Sequence, residues 1–411
     1  MEKLKLDNSI NLFQEAKRLH PGGVLGIRRP DNFVEEEYPI FLTKGQGCKV
    51  TDIDNNEYID MLCSYGPIII GHREKKIDDA VIKQIQEKGF CFSLTQPIST
   101  DLLKLLSERI PSCEQAIFVK SGSDATSAAI RAARSFTKKN KILRCGYHGW
   151  HDWCVENRNG VTKNITSEIL EFKYNDLERL KKHIQNNKDE IAGLIITPIG
   201  HQLGKNVEMP EKNYLESLRE ITKKNDIILI FDEIRTGFRT SIGGAQSLFG
   251  VTPDLSTFGK AMANGYDIAA LVGKKEIMEI YNKDAFISST YFENSLPIVA
   301  SIETIKFLEE NDVLNDISKK GKYFEEKINK VIEPYNDICE LSGIPWMPFV
   351  NFKKGIKKKL LRNTFHSNMI RQKVFCHPFH HSYICFRHTY DDLDYVINAT
   401  ENSLKELKKI V

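Results

Sequence analysis

The stretch Ile227-Ile-Leu-Ile-Phe-Asp232-Glu-Ile-Arg-Thr-Gly-Phe-Arg239 decides how the chain is read. Its opening run is apolar without alternation, which describes a strand covered on both faces, the habit of parallel sheets. The run ends in an acid. In such sheets ligands gather beyond the carboxyl ends of the strands, where loops and helix starts leave room. Strand side chains alternate, so Asp232 and Ile234 face the same way if the strand persists that far. A carboxylate there can hold a ring nitrogen while the branched side chain covers the ring face. It can equally be a helix N-cap or a salt-bridged acid, and this segment alone leaves both open.

Working outward, Phe258-Gly-Lys260-Ala-Met-Ala lies between that strand and another apolar run, Ala269 to Gly273. A lysine that captures a carbonyl covalently needs a desolvated amine, and the small neighbours Gly259 and Ala261 leave space for a cofactor. The ordinary alternative is a solvated surface charge. On the other side, Val119-Lys-Ser121-Gly122-Ser123-Asp-Ala reads as strand, tight turn and Ala-rich helix. Amides at such a helix start attract a phosphate, although many helices begin with Ser merely to cap themselves. Cys145-Gly-Tyr147-His148-Gly-Trp150 sets aromatics directly after a strand, to stack on a planar ring or to pack in the interior.

Strands are expected at Ala116 to Lys120, Lys141 to Cys145, Ile191 to Thr197, Ile227 to Asp232 and Ala269 to Gly273, with helical stretches between several of them. That pattern predicts an α/β domain with a mainly parallel sheet sandwiched by helices. An arm with a helix over Asn11 to Leu19 precedes it, stopped by Pro21-Gly22-Gly23, and a hairpin is expected around Asn55-Asn56. Beyond Asn294 helical spacing recurs at Val299 to Leu308, Tyr323 to Ile332 and Leu393 to Ile410, with a strand near Phe349 to Phe352. Residues 1–64 and 298–411 are therefore assigned to a smaller α+β domain and 65–297 to the large one.

The 411 residues carry 58 Lys and Arg against 55 Asp and Glu, a balance spread along the chain that gives no basic stripe for nucleic acid. No apolar run is long enough for a membrane span, and Met1 to His20 lacks the pattern of a secretion signal. Nine cysteines without a CxxC pair read as reduced thiols of the cytoplasm. His377-Pro-Phe-His-His381 with His388 has no acidic or thiol partner at ligand spacing, so no metal is expected. The Lys353 to Lys359 run reads as a solvated loop.

Together these segments resemble the class III aminotransferases of pyridoxal phosphate (PLP) fold type I, and among them the glutamate-1-semialdehyde aminomutase-like group. The likeness runs from Pro21 to about Asp394. The group's PGGV...R arm is Pro21-Gly-Gly-Val...Arg29, its SWGP segment Ser64-Tyr65-Gly-Pro67, its GH Gly71-His72 and its SGTEA turn Ser121-Gly-Ser-Asp-Ala125. YHG is Tyr147-His148-Gly149, FDEV-TGFR is Phe231 to Arg239, and the lysine segment is Phe258-Gly-Lys260.

The resemblance implies an enzyme in which Lys260 holds PLP as a Schiff base and moves the proton, while Asp232 pairs with the pyridinium nitrogen. Ser121, Gly122 and Ser123 would hold the phosphate, Tyr147 with its neighbour His148 would flank the ring, and Ile234 would cover its other face. Thr290 would reach the phosphate of a neighbouring subunit in a homodimer with shared sites. Arg29 and Tyr65 would meet an anionic small-molecule substrate. Amino transfer between a donor and a carbonyl acceptor is the leading activity. Amino migration and decarboxylation share its electron sink, and a non-catalytic PLP-binding protein is a further alternative. Three departures from the family pattern are Thr197-Pro198 in place of its EP, a short Trp153 to Phe172 segment, and Tyr65 in place of Trp.

Overall fold

The computed structural model describes residues 1–200, 206–353, 355 and 357–410. It divides into two compact units: Met1–Glu74, Leu203–Val207 and Asn315–Val411 form the first, and Lys75–Gln202 with Glu208–Leu314 the second.

The second unit is built on a seven-stranded sheet in the order Gln115–Val119, Ala269–Gly273, Leu255–Phe258, Ile228–Asp232, Ile191–Ile196, Lys141–Cys145, Ile169–Glu171. From Leu255–Phe258 through Ile169–Glu171 the pairings are parallel. Ala269–Gly273 runs antiparallel to both of its neighbours. Alternation along Ile228–Asp232 explains why the strand is apolar throughout. Ile228 and Ile230 enter a cluster with Ala129, Ala133 and Ile195, while Leu229 and Phe231 enter one with Leu143, Leu194 and Leu218. The alanines let helix Gly122–Thr137 lie close, since a Cβ on Gly193 would stand 3.2 Å from that of Ala133. The strands Leu255–Phe258 and Ile169–Glu171 had no distinct signal in the sequence, being only four and three residues long.

Helix Ser295–Glu310 is buried on most of its circumference and packs on helices Lys75–Glu87 and Pro97–Arg109. It therefore belongs to the second unit rather than to the smaller domain, where its sequence position had put it.

In the first unit Leu42–Gln46, Lys49–Asp52 and Glu57–Asp60 form an antiparallel meander, and Val374–Phe375 adds a parallel strand. The expected turn is present: the Asp52 Oδ1 accepts the amides of Asp54 at 2.9 Å and Asn56 at 2.8 Å, and Asn55 takes a φ of 64°. Cys339–Ile344 pairs with Met347–Phe352, and helix Lys358–Arg371 packs on Tyr390–Leu407. Among the described residues no helix is long and apolar enough to cross a membrane. Part of the Lys353 to Lys359 run lies outside the described residues.

Candidate active site

Strand Ile228–Asp232 delivers a buried Asp232 at its carboxyl end. The strand stops there, because Asp232 Oδ1 accepts the amide of Ile234 at 3.1 Å and turns the chain away. Ile234 thus reaches its place through a side-chain-closed turn and not by strand alternation. It lies between two glycines: a Cβ on Gly122 would meet its Cγ2 at 3.1 Å, and one on Gly259 would meet its Cδ1 at 3.2 Å. Helix start, strand-end turn and lysine loop converge on this one side chain. The remaining carboxylate contacts are Thr257 Oγ1 at 3.3 Å and, on Oδ2, His148 Nδ1 at 2.8 Å.

Lys260 follows Leu255–Phe258 and has a φ of 47°, a left-handed conformation that costs a non-glycine residue roughly 1 kcal/mol and is kept where a side chain must be aimed. The residue retains some accessible surface, but its amine is set deep. Desolvation lowers the amine to about 8; the Arg235 and Arg239 guanidiniums push the same way, and the Asp232 carboxylate opposes them. The two arginines were present in the motif but had been given no role. The signal was their place on the turn that follows the strand-end acid.

Helix Gly122–Thr137 opens with a reciprocal cap: Ser121 Oγ accepts the Asp124 amide at 3.2 Å and Asp124 Oδ2 accepts the Ser121 amide at 2.8 Å. Among the described residues the cap engages neither the Gly122 nor the Ser123 amide, which lie at the positive end of the helix dipole. The loop after Lys141–Cys145 is fastened beside that end. Thr126 Oγ1 donates to the His148 carbonyl at 2.8 Å, and Trp150 donates its amide to Ser123 Oγ at 3.3 Å. Gly149, at a φ of 116°, is required because a Cβ would stand 2.4 Å from Ser123 Oγ. Tyr147 is carried on this loop and is 42% exposed. Its hydroxyl is raised by burial first, with Cys154, Glu156 and Asp232 adding to the effect. His148 stacks on Trp153, ring centroids 6.3 Å apart and 11° from parallel.

Asp232, Lys260, Tyr147, His148, Ile234 and the Ser121–Ser123 turn are therefore brought to one place. Thr290 stands in an exposed turn of the same unit. Arg29 and Tyr65 belong to the first unit, where both flank the arm. Thr197 is buried at the end of Ile191–Ile196. No group of three or more His, Cys, Asp or Glu disposed to hold a metal ion occurs among the described residues. A buried carboxylate, free helix amides, an amine of lowered basicity and a branched apolar wall between two glycines fit a flat heteroaromatic aldehyde bearing a phosphate. That is the chemistry of PLP.

Comparison with known proteins agrees. The family model for aminotransferase class-III matches residues 33–404. The 3-aminobutyryl-CoA aminotransferase of Cloacimonas acidaminovorans (strain Evry) is 57% identical over 413 residues, covering 100% of both chains. A glutamate-1-semialdehyde 2,1-aminomutase of Archaeoglobus fulgidus is 33% identical over 427 residues, covering 98% of this chain and 100% of its own. Among solved structures, the PLP internal aldimine form of the Sphingopyxis sp. MTA144 FumI protein superposes with a TM-score of 0.93 at 25% identity, covering 98% of this chain and 97% of that one.

Proposed function

This chain belongs to the class-III aminotransferases, PLP enzymes that move an amino group from a small-molecule donor to a carbonyl acceptor, and from that premise we propose that its donor is a 3-aminoacyl thioester of coenzyme A. The observation that carries the reading is the 57% identity, end to end, with a protein named for that substrate. Bound PLP supplies an electron sink for the bond that breaks at the amino-bearing carbon.

In this reading the protein's own groups act as follows. Lys260 Nζ would hold the cofactor's carbonyl carbon and would serve as the base that moves the proton, roles suited to an amine lowered to about 8. Asp232 keeps a proton on the ring nitrogen through a charge-assisted hydrogen bond worth about 1.5–3 kcal/mol. The Gly122 and Ser123 amides and the Ser123 hydroxyl would hold the phosphate, beside a Ser121 hydroxyl that is committed to Asp124, and Ile234 and Tyr147 would flank the ring. Tyr65 and Arg29 would meet the substrate, with Arg29 taking its anionic part. A homodimer in which Thr290 completes the partner's phosphate site accounts for the exposure of that turn. Phe286 at 80% and Tyr291 at 60% exposure beside it suit an interface. The nine free thiols suit the cytoplasm.

The test is a half-reaction. PLP-loaded protein is mixed with 3-aminobutyryl-CoA or with free 3-aminobutyrate, and conversion to the pyridoxamine form is followed by absorbance. The reading requires a much higher kcat/KM for the thioester; parity with the free amino acid overturns it. Amino migration, the activity named for the Archaeoglobus relative, is separated in the same experiment because it returns the amino group to the same molecule and gives no net conversion to the pyridoxamine form.

A further inference from the structure

Val119, Ala125 and Ala269 form a small buried cluster beneath the cofactor site. Val119 and Ala269 are register partners in adjacent strands, and Ala125 lies in the first turn of helix Gly122–Thr137, its amide donating to the Ser121 carbonyl at 3.1 Å. Ile234 packs on this cluster, and a Cβ on Gly259, beside Lys260, would stand 3.4 Å from that of Ala269. Phosphate turn, ring wall and lysine loop thus share one support. Two further side chains, Ile287 and Phe292, pack against the same cluster.

Both belong to segment 286–293, which contains neither helix nor strand and so has no backbone ladder of its own to hold them. It is fastened at its two ends instead. At one end Arg131 Nη1, on helix Gly122–Thr137, donates to the Phe286 carbonyl at 2.7 Å. At the other, Glu293 Oε2 accepts the hydroxyls of Thr95 and Ser99, each at 2.9 Å, and Gln96 Nε2 donates to the Glu293 carbonyl at 3.0 Å. Helix Pro97–Arg109 has no acid in its first turn and no side-chain cap from its own N-cap residue, Gln96. Glu293 brings the missing negative charge from a distant part of the sequence to the end of the helix dipole that favours it. Between the two fastenings residues 288–291 are exposed, while Ile287 and Phe292 are half-buried. The segment is a strap whose inner face is those two side chains.

We infer that Glu293 is a positioning residue of the cofactor site: by fastening the strap to helix Pro97–Arg109 it holds Phe292 on the cluster that supports Ile234, and so fixes the wall beside which the ring is bound. This rests on the reading of Ile234 as a flank of the PLP ring. Protein interiors are close-packed, so a side chain released on one side of a cluster lets those on the other side shift. Ile234 is sensitive to such a shift, because its neighbours Gly122 and Gly259 bring no side chain to restrain it. A glutamine at position 293 keeps an acceptor oxygen for Thr95 and Ser99 without the charge, whereas an alanine keeps neither.

The experiment measures PLP affinity by spectral titration of the apoprotein, and the visible circular dichroism of the bound cofactor, which reports how the ring is held. The variants are E293A, E293Q, F292A, F292L and I234A, with thermal unfolding of each apoprotein alongside. E293A and F292A are expected to weaken PLP binding about tenfold and to lower the visible dichroism by about half. Their unfolding midpoints should stay within about 4 °C of wild type. E293Q and F292L should each recover part of the loss. Affinity and dichroism unchanged in both E293A and F292A overturn the inference, as does a loss in E293A that F292A does not share. A large fall in midpoint with the dichroism of bound PLP intact is the mark of a merely structural role and overturns it too. An I234A protein that binds PLP as wild type does refutes the reading of Ile234 instead. An impaired I234A beside unimpaired E293A and F292A refutes the role of Glu293 alone.

Discussion

His148 bridges Asp232 and the chain that carries it: its Nδ1 lies 2.8 Å from Asp232 Oδ2 and its Nε2 lies 3.0 Å from the carbonyl oxygen of Cys145. Both oxygens are acceptors, so whichever ring nitrogen carries hydrogen has an oxygen to donate to. The imidazole thereby fixes the orientation of the carboxylate at the point where Asp232 would meet the cofactor nitrogen. Stacking on Trp153, whose Nε1 donates to Ser127 Oγ at 2.9 Å, keeps the ring from turning.

This arrangement makes His148→Gln and Asp232→Asn a graded pair. The amide in place of Asp232 cannot hold a pyridinium proton and should slow the proton-transfer half-reaction by a factor of a hundred or more. The His148 change leaves the carboxylate in place but unsupported and should slow the same step about tenfold. Both should retain PLP. Single-turnover absorbance kinetics check the order, and an unaltered rate in Asp232→Asn removes its assigned role.

Lys260→Ala should abolish turnover while PLP still binds noncovalently, because the helix amides and Asp232 remain. The wild-type lysine makes a pH prediction as well. A free amine at about 8, lowered from 10.5, is roughly a tenth neutral at pH 7, where an ordinary lysine is neutral in well under a thousandth of molecules. Reconstitution of apoenzyme with PLP should accordingly accelerate from pH 6.5 and level off above about 8. A rate still climbing steeply at pH 9.5 would contradict the desolvated amine.

The strand ending in Asp232 was legible because both faces of that strand are buried and its apolar run is unbroken. Lys260 was legible only through its company, since one lysine beside a glycine carries almost no signal. Three features were not legible. The sequence showed no reason for Ile234 to leave the strand, because the turn is closed by Asp232's own side chain. The antiparallel placement of Ala269–Gly273 depends on partners distant in sequence. The left-handed turn at Cys63 to Tyr65 lies where no residue before Gly66 advertises positive φ.

If sites are shared across a homodimer, Thr290 and Lys260 of one site come from different chains. Thr290→Ala should then weaken PLP retention about tenfold, and mixing it with Lys260→Ala should restore one intact site in each hybrid dimer. Spectral titration and turnover of the verified hybrid are the measurements. Hybrids no more active than their parents would mean that each site is built within one chain.

The first unit should be acid-sensitive for reasons independent of catalysis. His377 is buried, with Phe33 at 4.5 Å and Tyr65 at 5.7 Å between ring centroids, and its Nδ1 accepts the Phe379 amide at 3.0 Å. Burial lowers it to about 4, and it lowers His366 to about 3, with His377 and the Arg362 guanidinium adding to the effect on His366. Both rings are thus held neutral in the fold, whereas in the unfolded chain they protonate near 6.5. Since the folded values are depressed, the stability they support is complete above pH 6.5 and is lost as pH falls toward 4. For His377 alone the loss is on the order of 3 kcal/mol. His377→Phe keeps an aromatic ring between Phe33 and Tyr65 but cannot be protonated, so its acid unfolding midpoint should lie below that of the wild type, even if its stability at pH 7.5 falls through loss of the Phe379 bond. Circular dichroism across pH 7.5 to 3.5 measures both quantities, and an unshifted midpoint would place the acid-labile charge elsewhere.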